Sequence, residues 1–272
     1  MAQFLDTAIE IALEAGRILM THRGVGFELK GVHDLVTAAD RASEQLVVSK
    51  LRQHFPSHGI VAEEGSRAEM EAPLRWYVDP LDGTTNFAHG YPMWNVTLAL
   101  AQNHEVICGV VYDPLNRELF TAERGAGARL NGAPIHVSKA ANINESLFST
   151  GFPASKRQNM INIHFYYQLA MLSHGVRRGG SAAIDLAYTA CGRLDGFWEF
   201  GLSPWDMAAG SLLVEEAGGK VSGMKGEPYD VQGAHVLANN GNIHAETVTL
   251  FAEIFEGRYR HAMPVLPGKD GN

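Results

Sequence analysis

The stretch VDPLDGTTNF, residues 78–87, sets Asp79 and Asp82 three positions apart, with Pro80 and Leu81 between them and Gly83, Thr84 and Thr85 directly after. Two carboxylates held that close repel each other, and one takes up a proton unless something positive stands near. Proline limits the backbone, and glycine admits a sharp turn with close approach of a ligand. The plain alternative is a solvated turn in which an aspartate caps a short helix.

Working outward, the segments HGIVAEEG and LRWYVDP read as short buried strands that end in acidic residues, Glu63 and Glu64 in one and Asp79 in the other. Before them, Phe4, Ala8, Ile11, Ala15 and Leu19 form one stripe of an amphipathic helix over residues 4–20. A second helix is predicted over 39–54, burying Leu46, Val47 and Leu51. After the turn, WNVTLALA, EVICGVVYD and ELFTAE are successive strands joined by QNH and PLNR. GAGARLNG lacks the third glycine of a dinucleotide fingerprint, and no helix follows it.

The pattern changes after Asn142. SLFST is a strand and KRQNMINIHFYYQLAMLS a helix; further helices cover 181–191, 204–217 and 243–256, with DGFWEFG and HVLANN between them. These features divide the chain into an α+β half, residues 1–142, and an α/β half, residues 143–272.

Of the 272 residues, 46% are hydrophobic and 19% charged, enough for a large core and too apolar for disorder. The net charge of −8 argues against a general nucleic-acid binder and suits a site whose carboxylates hold cations. The two cysteines, Cys108 and Cys191, form no CxxC and point to a reducing compartment. The N-terminus has no basic region of a secretory signal, and no apolar run nears the roughly 18–20 residues that span a bilayer, so the expected setting is the cytoplasm without membrane attachment. None of the 12 histidines falls in an HExxH pattern, which argues against zinc.

Carboxylates recur at strand ends and helix starts: Asp40, Glu63–Glu64, the Asp79/Asp82 pair, and Asp206 in SPWDMAAG. Each alone has a plain reading. Asp40 and Asp206 suit the first turn of a helix, the latter behind Ser203 as N-cap and Pro204 at the first helical position, and Glu63 and Glu64 suit a solvated loop. Together they suit a hard cation such as Mg²⁺, with the Leu81 carbonyl as a further oxygen. The N–H groups at Gly83–Thr85, opening a short helix, suit an anion, and metals beside an anion site suggest phosphate.

WYVDPLDGTTNF, the upstream AEEG and DLVTAAD, GVVYDPLNRELFTAERGAGARLNG, GSAAIDLAYTACGRLDGFWEFG and SPWDMAAGSLLVEEAGG, taken in order, resemble the inositol monophosphatase family of Mg²⁺-dependent phosphatases over nearly the whole chain. The resemblance implies a layered αβαβα sandwich, the fold also found in fructose bisphosphatases. It implies two or three Mg²⁺ ions per subunit, held by Glu63, Asp79, Asp82, Asp206 and the Leu81 carbonyl. It also makes Thr84 the residue that orients the attacking water and Asp40 its acceptor, a pairing with a chemical reason because a threonine hydroxyl is a poor base on its own. Gly83, Thr84 and Thr85 would meet phosphate, and Glu63 would neighbour a third, weaker ion. A homodimer and lithium inhibition are further implications.

On the substrate side, Glu199 in FWEFG matches the family position that binds substrate hydroxyls, its alternative being an edge-strand charge facing solvent. Gly180, Ser181 and Ala182 match the segment lining the polyol pocket, with Asp82 beside it. Lys30, in the loop KGVHDLV, lies where the family has a lysine near the metals, and His33 reads as a loop residue. Arg177 and Arg178 read as structural or interface residues, against a second-phosphate site. The expected substrate is a small phosphorylated polyol, inositol monophosphate first. Histidinol phosphate, fructose 1,6-bisphosphate and phosphoadenosine phosphate are the alternatives on this fold. A non-catalytic binding protein is the alternative of another class.

Overall fold

NVTLALAQ (95–102) is apolar without interruption from Leu98 to Ala101, as expected of a strand covered on both faces. A computed structural model of the chain describes residues 2–24, 26–31, 34–69, 71–152 and 160–265, except for the side chains at 2, 29, 30, 34 and 35. In it the chain runs α1 (Ala2–Thr21), β1 (Phe27–Gly31), β2 (Asp34–Thr37), α2 (Ala38–His54), β3 (Gly59–Ala62), β4 (Arg67–Ala68), β5 (Leu74–Asp82), α3 (Thr84–His89), β6 (Asn95–Gln102), β7 (Glu105–Asp113), β8 (Glu118–Glu123), β9 (Gly127–Leu130) and β10 (Ala133–Pro134). It continues through β11 (Leu147–Thr150), α4 (Asn162–Leu172), β12 (Gly175–Arg177), α5 (Ala182–Ala190), β13 (Gly196–Phe200), α6 (Pro204–Glu216), β14 (Lys220–Ser222), β15 (His235–Asn239) and α7 (His244–Phe255).

Two large sheets organise the layers. One has the order β10-β9-β8-β7-β6-β5-β3-β4 and the other β12-β11-β13-β15-β14. Side chains of β6 alternate between two cores. Val96, Leu98 and Leu100 join the cluster with α1 and α2 (Ala8, Ile11, Ala15, Leu19, Val47, Leu51). Ala99 and Ala101 face the opposite cluster, built on α5 and α6 (Leu186, Met207, Leu212, Leu213) and on Phe197 and Val236 of the second sheet. A third cluster covers the far side of that sheet with Phe165 and Leu169 of α4 and Leu250, Phe251 and Ile254 of α7. The stacking is therefore α, β, α, β, α, the expected sandwich. Helix α6 is buried along most of its length, because both of its faces meet a sheet.

Several details differ from the sequence expectations. KGVHDLV is not all loop: residues 30–31 end β1 and residues 34–36 lie in β2, and the two strands pair antiparallel. His33 lies outside the described residues, and so does the Lys30 side chain. The helix predicted from KRQNMINIHFYYQLAMLS is observed from Asn162, residues 153–159 lying outside the described set. The second sheet is mixed: β11 pairs in parallel with β12 and β13, while β15 runs antiparallel to β13 and β14. Among the described residues no helix is long and apolar enough to cross a membrane.

Candidate active site

The two aspartates of DPLD sit on a β-bulge. Asp79 lies opposite Thr97 of β6 and Asp82 opposite Asn95, so three steps on β5 span two on its partner. In a regular strand, residues three apart face opposite sides of the sheet; one extra residue brings them to the same side. Pro80 lies inside the bulge, where a ladder donor is least needed. Gly83 then turns the chain with φ of 88°, and a Cβ there would lie 2.8 Å from the Met93 carbonyl oxygen, so the turn into α3 requires glycine.

Glu63 follows β3, which runs parallel to β5, so it and Asp79 leave adjacent strands at the same end. The Glu63 N–H donates to the Val78 carbonyl at 3.1 Å. Asp206 comes from the other half of the chain, in the first turn of α6, where its Oδ2 accepts from the Ser203 N–H at 2.7 Å. Burial raises the Asp79 carboxyl well above the ordinary aspartate range, and the charges of Glu63, Asp82 and Asp206 raise it further. Asp79 Oδ1 also accepts from the Leu81 N–H at 2.9 Å, which fixes the bulge.

Asp82 is held differently. Its Oδ2 accepts from Asn95 Nδ2 at 2.9 Å, Ser181 Oγ at 2.6 Å and the Ala183 N–H at 2.9 Å. Burial raises its carboxyl and these donors pull it back. The Ser181 hydroxyl is thus spent on Asp82, with the residue 2% exposed, and does not line an open pocket with its side chain. Asn86 Nδ2 donates to the carbonyls of Met93 and Gly179, tying α3 to the segment that carries Gly180, Ser181 and Ala182.

Asp40 combines both of its sequence readings. As a first-turn residue its Oδ2 accepts from the Thr37 N–H at 2.7 Å and Thr37 Oγ1 at 2.5 Å. Its Oδ1 accepts from Thr84 Oγ1 at 3.0 Å, and the same hydroxyl lies 3.0 Å from the Leu81 carbonyl. Burial raises the Asp40 carboxyl against the pull of these bonds. Thr84 is half-buried and Thr85 exposed. The remaining contacts from α2 went unread in the sequence: Ser43 Oγ donates to the Pro80 carbonyl at 2.9 Å, and Glu44 accepts from Glu64 and Ser66.

Glu199 is not an edge charge. Its strand β13 lies inside the second sheet between β11 and β15, and the residue is 7% exposed. Burial raises its carboxyl well above the ordinary range, with added repulsion from Asp185, Asp206 and Asp82. A Cβ at Gly151 would overlap the Glu199 carboxylate, so glycine makes the room for it. Asp185, also unread in the sequence, is buried on α5 and raised by burial and by Asp82. Arg178 is the cation that both Glu199 and Asp185 sense, whereas Arg177 ends β12 and is exposed.

Among the described residues no three acidic, histidine or cysteine side chains already form a tight ion cage. The donor chemistry nevertheless fits a hard cation. It is all oxygen, it is anionic, and at Asp79 it carries a repulsion from three carboxylates that a divalent ion relieves.

The sequence profile of the inositol monophosphatase family matches residues 1–256. An inositol-1-monophosphatase from Synechocystis is 45% identical over 249 residues, covering 89% of this chain and 86% of that protein. The protein named Nus factor SuhB from Pseudomonas aeruginosa is 42% identical over 250 residues, covering 88% and 92%. The solved structure of an inositol monophosphatase from Anabaena superposes with a TM-score of 0.85 at 43% identity, covering 94% of this chain and 96% of that one.

Proposed function

The chain belongs to the inositol monophosphatase family and is a phosphoric monoester hydrolase, and from that premise we propose that it hydrolyses the phosphate ester of a small polyol, inositol monophosphate first, with Mg²⁺ in its acidic site. The observation that carries this reading is the buried Asp79 carboxyl, set among Glu63, Asp82 and Asp206 beside the Thr84–Asp40 hydrogen bond. Glu63, Asp79, Asp82, Asp206 and the Leu81 carbonyl would hold two or three ions. When bound, Mg²⁺ supplies positive charge that makes a water more acidic and offsets charge on the phosphate and leaving oxygens.

The chain's own groups supply orientation. Ionised Asp40 draws the hydrogen of Thr84 Oγ1 toward itself, which turns the threonine lone pairs outward to accept from the attacking water. Gly83, Thr84 and Thr85 would bind phosphate oxygens at the opening of α3. The backbone at Gly180–Ala182 and the Glu199 carboxylate would face the alcohol. Ser181 contributes by holding Asp82. The same reading includes a homodimer, lithium inhibition and a cytoplasmic setting, and the net charge of −8 speaks against nucleic acid as a general ligand.

The name Nus factor on the Pseudomonas relative supplies the second reading, a binding protein on the same fold. Phosphate release from inositol 1-phosphate, glycerol 2-phosphate, histidinol phosphate, fructose 1,6-bisphosphate and phosphoadenosine phosphate, with and without Mg²⁺, separates the two. Release from the polyol esters alone supports the proposal. Preference for one of the others moves the substrate, and no release from any supports the binding role.

A further inference from the structure

Helix α2 carries a polar face that reaches three parts of the site. Asp40 holds Thr84, Ser43 holds the Pro80 carbonyl, and Glu44, 6% exposed, takes the loop after β3. Both Glu44 oxygens are used: Oε2 accepts from the Glu64 N–H at 2.8 Å, and Oε1 from the Ser66 N–H at 3.1 Å and Ser66 Oγ at 2.6 Å. Glu63 is the residue directly before this clamp. On its other side the Ala62 N–H donates to the Ser66 carbonyl at 3.0 Å, closing the loop. Arg67 Nη1 donates to the Ala62 and Ser66 carbonyls, and its guanidinium lies 5.4 Å from the ring centre of Trp205, the neighbour of Asp206.

We propose that Glu44 is a positioning residue: its carboxylate fixes residues 63–66 so that Glu63 is already aimed at the ion site before any ion arrives. The inference rests on the reading of Glu63 as a metal ligand. A carboxylate is the group this clamp needs, since three donors arrive at two oxygens. Glutamine offers one acceptor and turns an NH₂ against either the Glu64 or the Ser66 donor, leaving a part-buried N–H without its partner. The loop then loses its fixed geometry, and a displacement of about 1 Å at a reacting centre costs on the order of 10²-fold.

The test uses Glu44→Gln in the full chain, with Ser66→Ala as the milder second variant, which removes one of the three donors. Mn²⁺, another octahedral oxygen-seeking ion, is titrated and the free ion followed by electron paramagnetic resonance; amide hydrogen exchange is measured on the ion-free proteins. We expect Glu44→Gln to bind Mn²⁺ about 10-fold more weakly, and the amides of 64 and 66 to exchange faster, with exchange in β6 and β7 unchanged. Ser66→Ala should shift both readouts in the same direction by less, and it carries the test alone if Glu44→Gln does not fold. Unchanged Mn²⁺ affinity in a folded variant overturns the positioning role, even if its melting temperature falls. Wild-type protein that binds no Mn²⁺ overturns the metal reading, and this inference with it.

Discussion

Replacing Asp40 by asparagine separates its two duties, because the structure dictates how the amide settles. Oδ2 serves two donors on Thr37, at 2.7 and 2.5 Å, and Oδ1 serves the Thr84 hydroxyl at 3.0 Å. Asparagine has one acceptor. Turning its NH₂ toward Thr37 would set donor against donor in a buried cap, at a cost of about 1–3 kcal/mol. The amide oxygen therefore stays on Thr37, the NH₂ faces Thr84, and the helix cap survives. Thr84 now meets a donor, so its hydrogen turns to the Leu81 carbonyl, already 3.0 Å away. Losing a positioned proton acceptor lowers kcat by about 10²–10⁴. Thr84→Ala cuts the same link from the other end, whereas Thr84→Ser keeps it. The assay is kcat for phosphate release at saturating Mg²⁺ and substrate, for both single variants and the double variant, with melting temperatures as a control. Residues that act as one unit give non-additive losses, so the double variant should match the worse single variant. A double-variant loss equal to the product of the single losses refutes the coupled pair.

Glu199→Gln keeps an acceptor and loses the charge, weakening hydrogen bonds to substrate hydroxyls by roughly 1–2 kcal/mol, or ~5–30-fold in kcat/KM for inositol 1-phosphate. p-Nitrophenyl phosphate, whose alcohol carries no further hydroxyl, should be affected far less, and equal losses on both substrates would remove Glu199 from the alcohol side. Gly151→Ala should reproduce the selective loss, because its Cβ would occupy the place of the Glu199 carboxylate. His244 titrates at about 4 because burial disfavours its charged form, and Asn239 Nδ2 lies 3.2 Å from its Nδ1. A histidine whose folded pKa is depressed contributes full stability above its unfolded value near 6.5 and loses it as pH falls toward 4. The stability difference between wild type and His244→Gln, from denaturant unfolding, should shift against wild type across that window; a constant difference contradicts the assignment.

The acidic residues were legible because strand ends and helix starts are marked in the sequence: Pro80, Gly83, and the Ser203–Pro204 entry to α6 each announce where a carboxylate will stand. Their support was not. Asp82 is satisfied by Asn95 and by Ser181 and Ala183 from the far half of the chain, and only the folded bulge brings these together. Glu44 did leave a trace, since it shares the buried face of α2 with Asp40, Ser43, Val47, Val48 and Leu51, and a carboxylate on a buried helical face needs donors. Glu199 was placed by resemblance, and its burial depends on β13 lying between two neighbours, a matter of strand order that local sequence does not encode. The β1–β2 strand pair escaped notice because its strands are short and polar residues interrupt them.

The central claim is that Asp79 anchors a Mg²⁺-dependent phosphatase site. Asp79→Asn is a clean probe, because the amide oxygen can keep the 2.9 Å bond from the Leu81 N–H while the charge is lost. The decisive measurement is Mg²⁺-dependent phosphate release from inositol 1-phosphate by wild type and Asp79→Asn. The account predicts release by wild type that stops in EDTA, and a fall in kcat of about 10³ or more in the variant, the scale of losing a main electrostatic stabiliser. Release that continues in EDTA, or near-wild-type turnover by Asp79→Asn at saturating Mg²⁺, would contradict it.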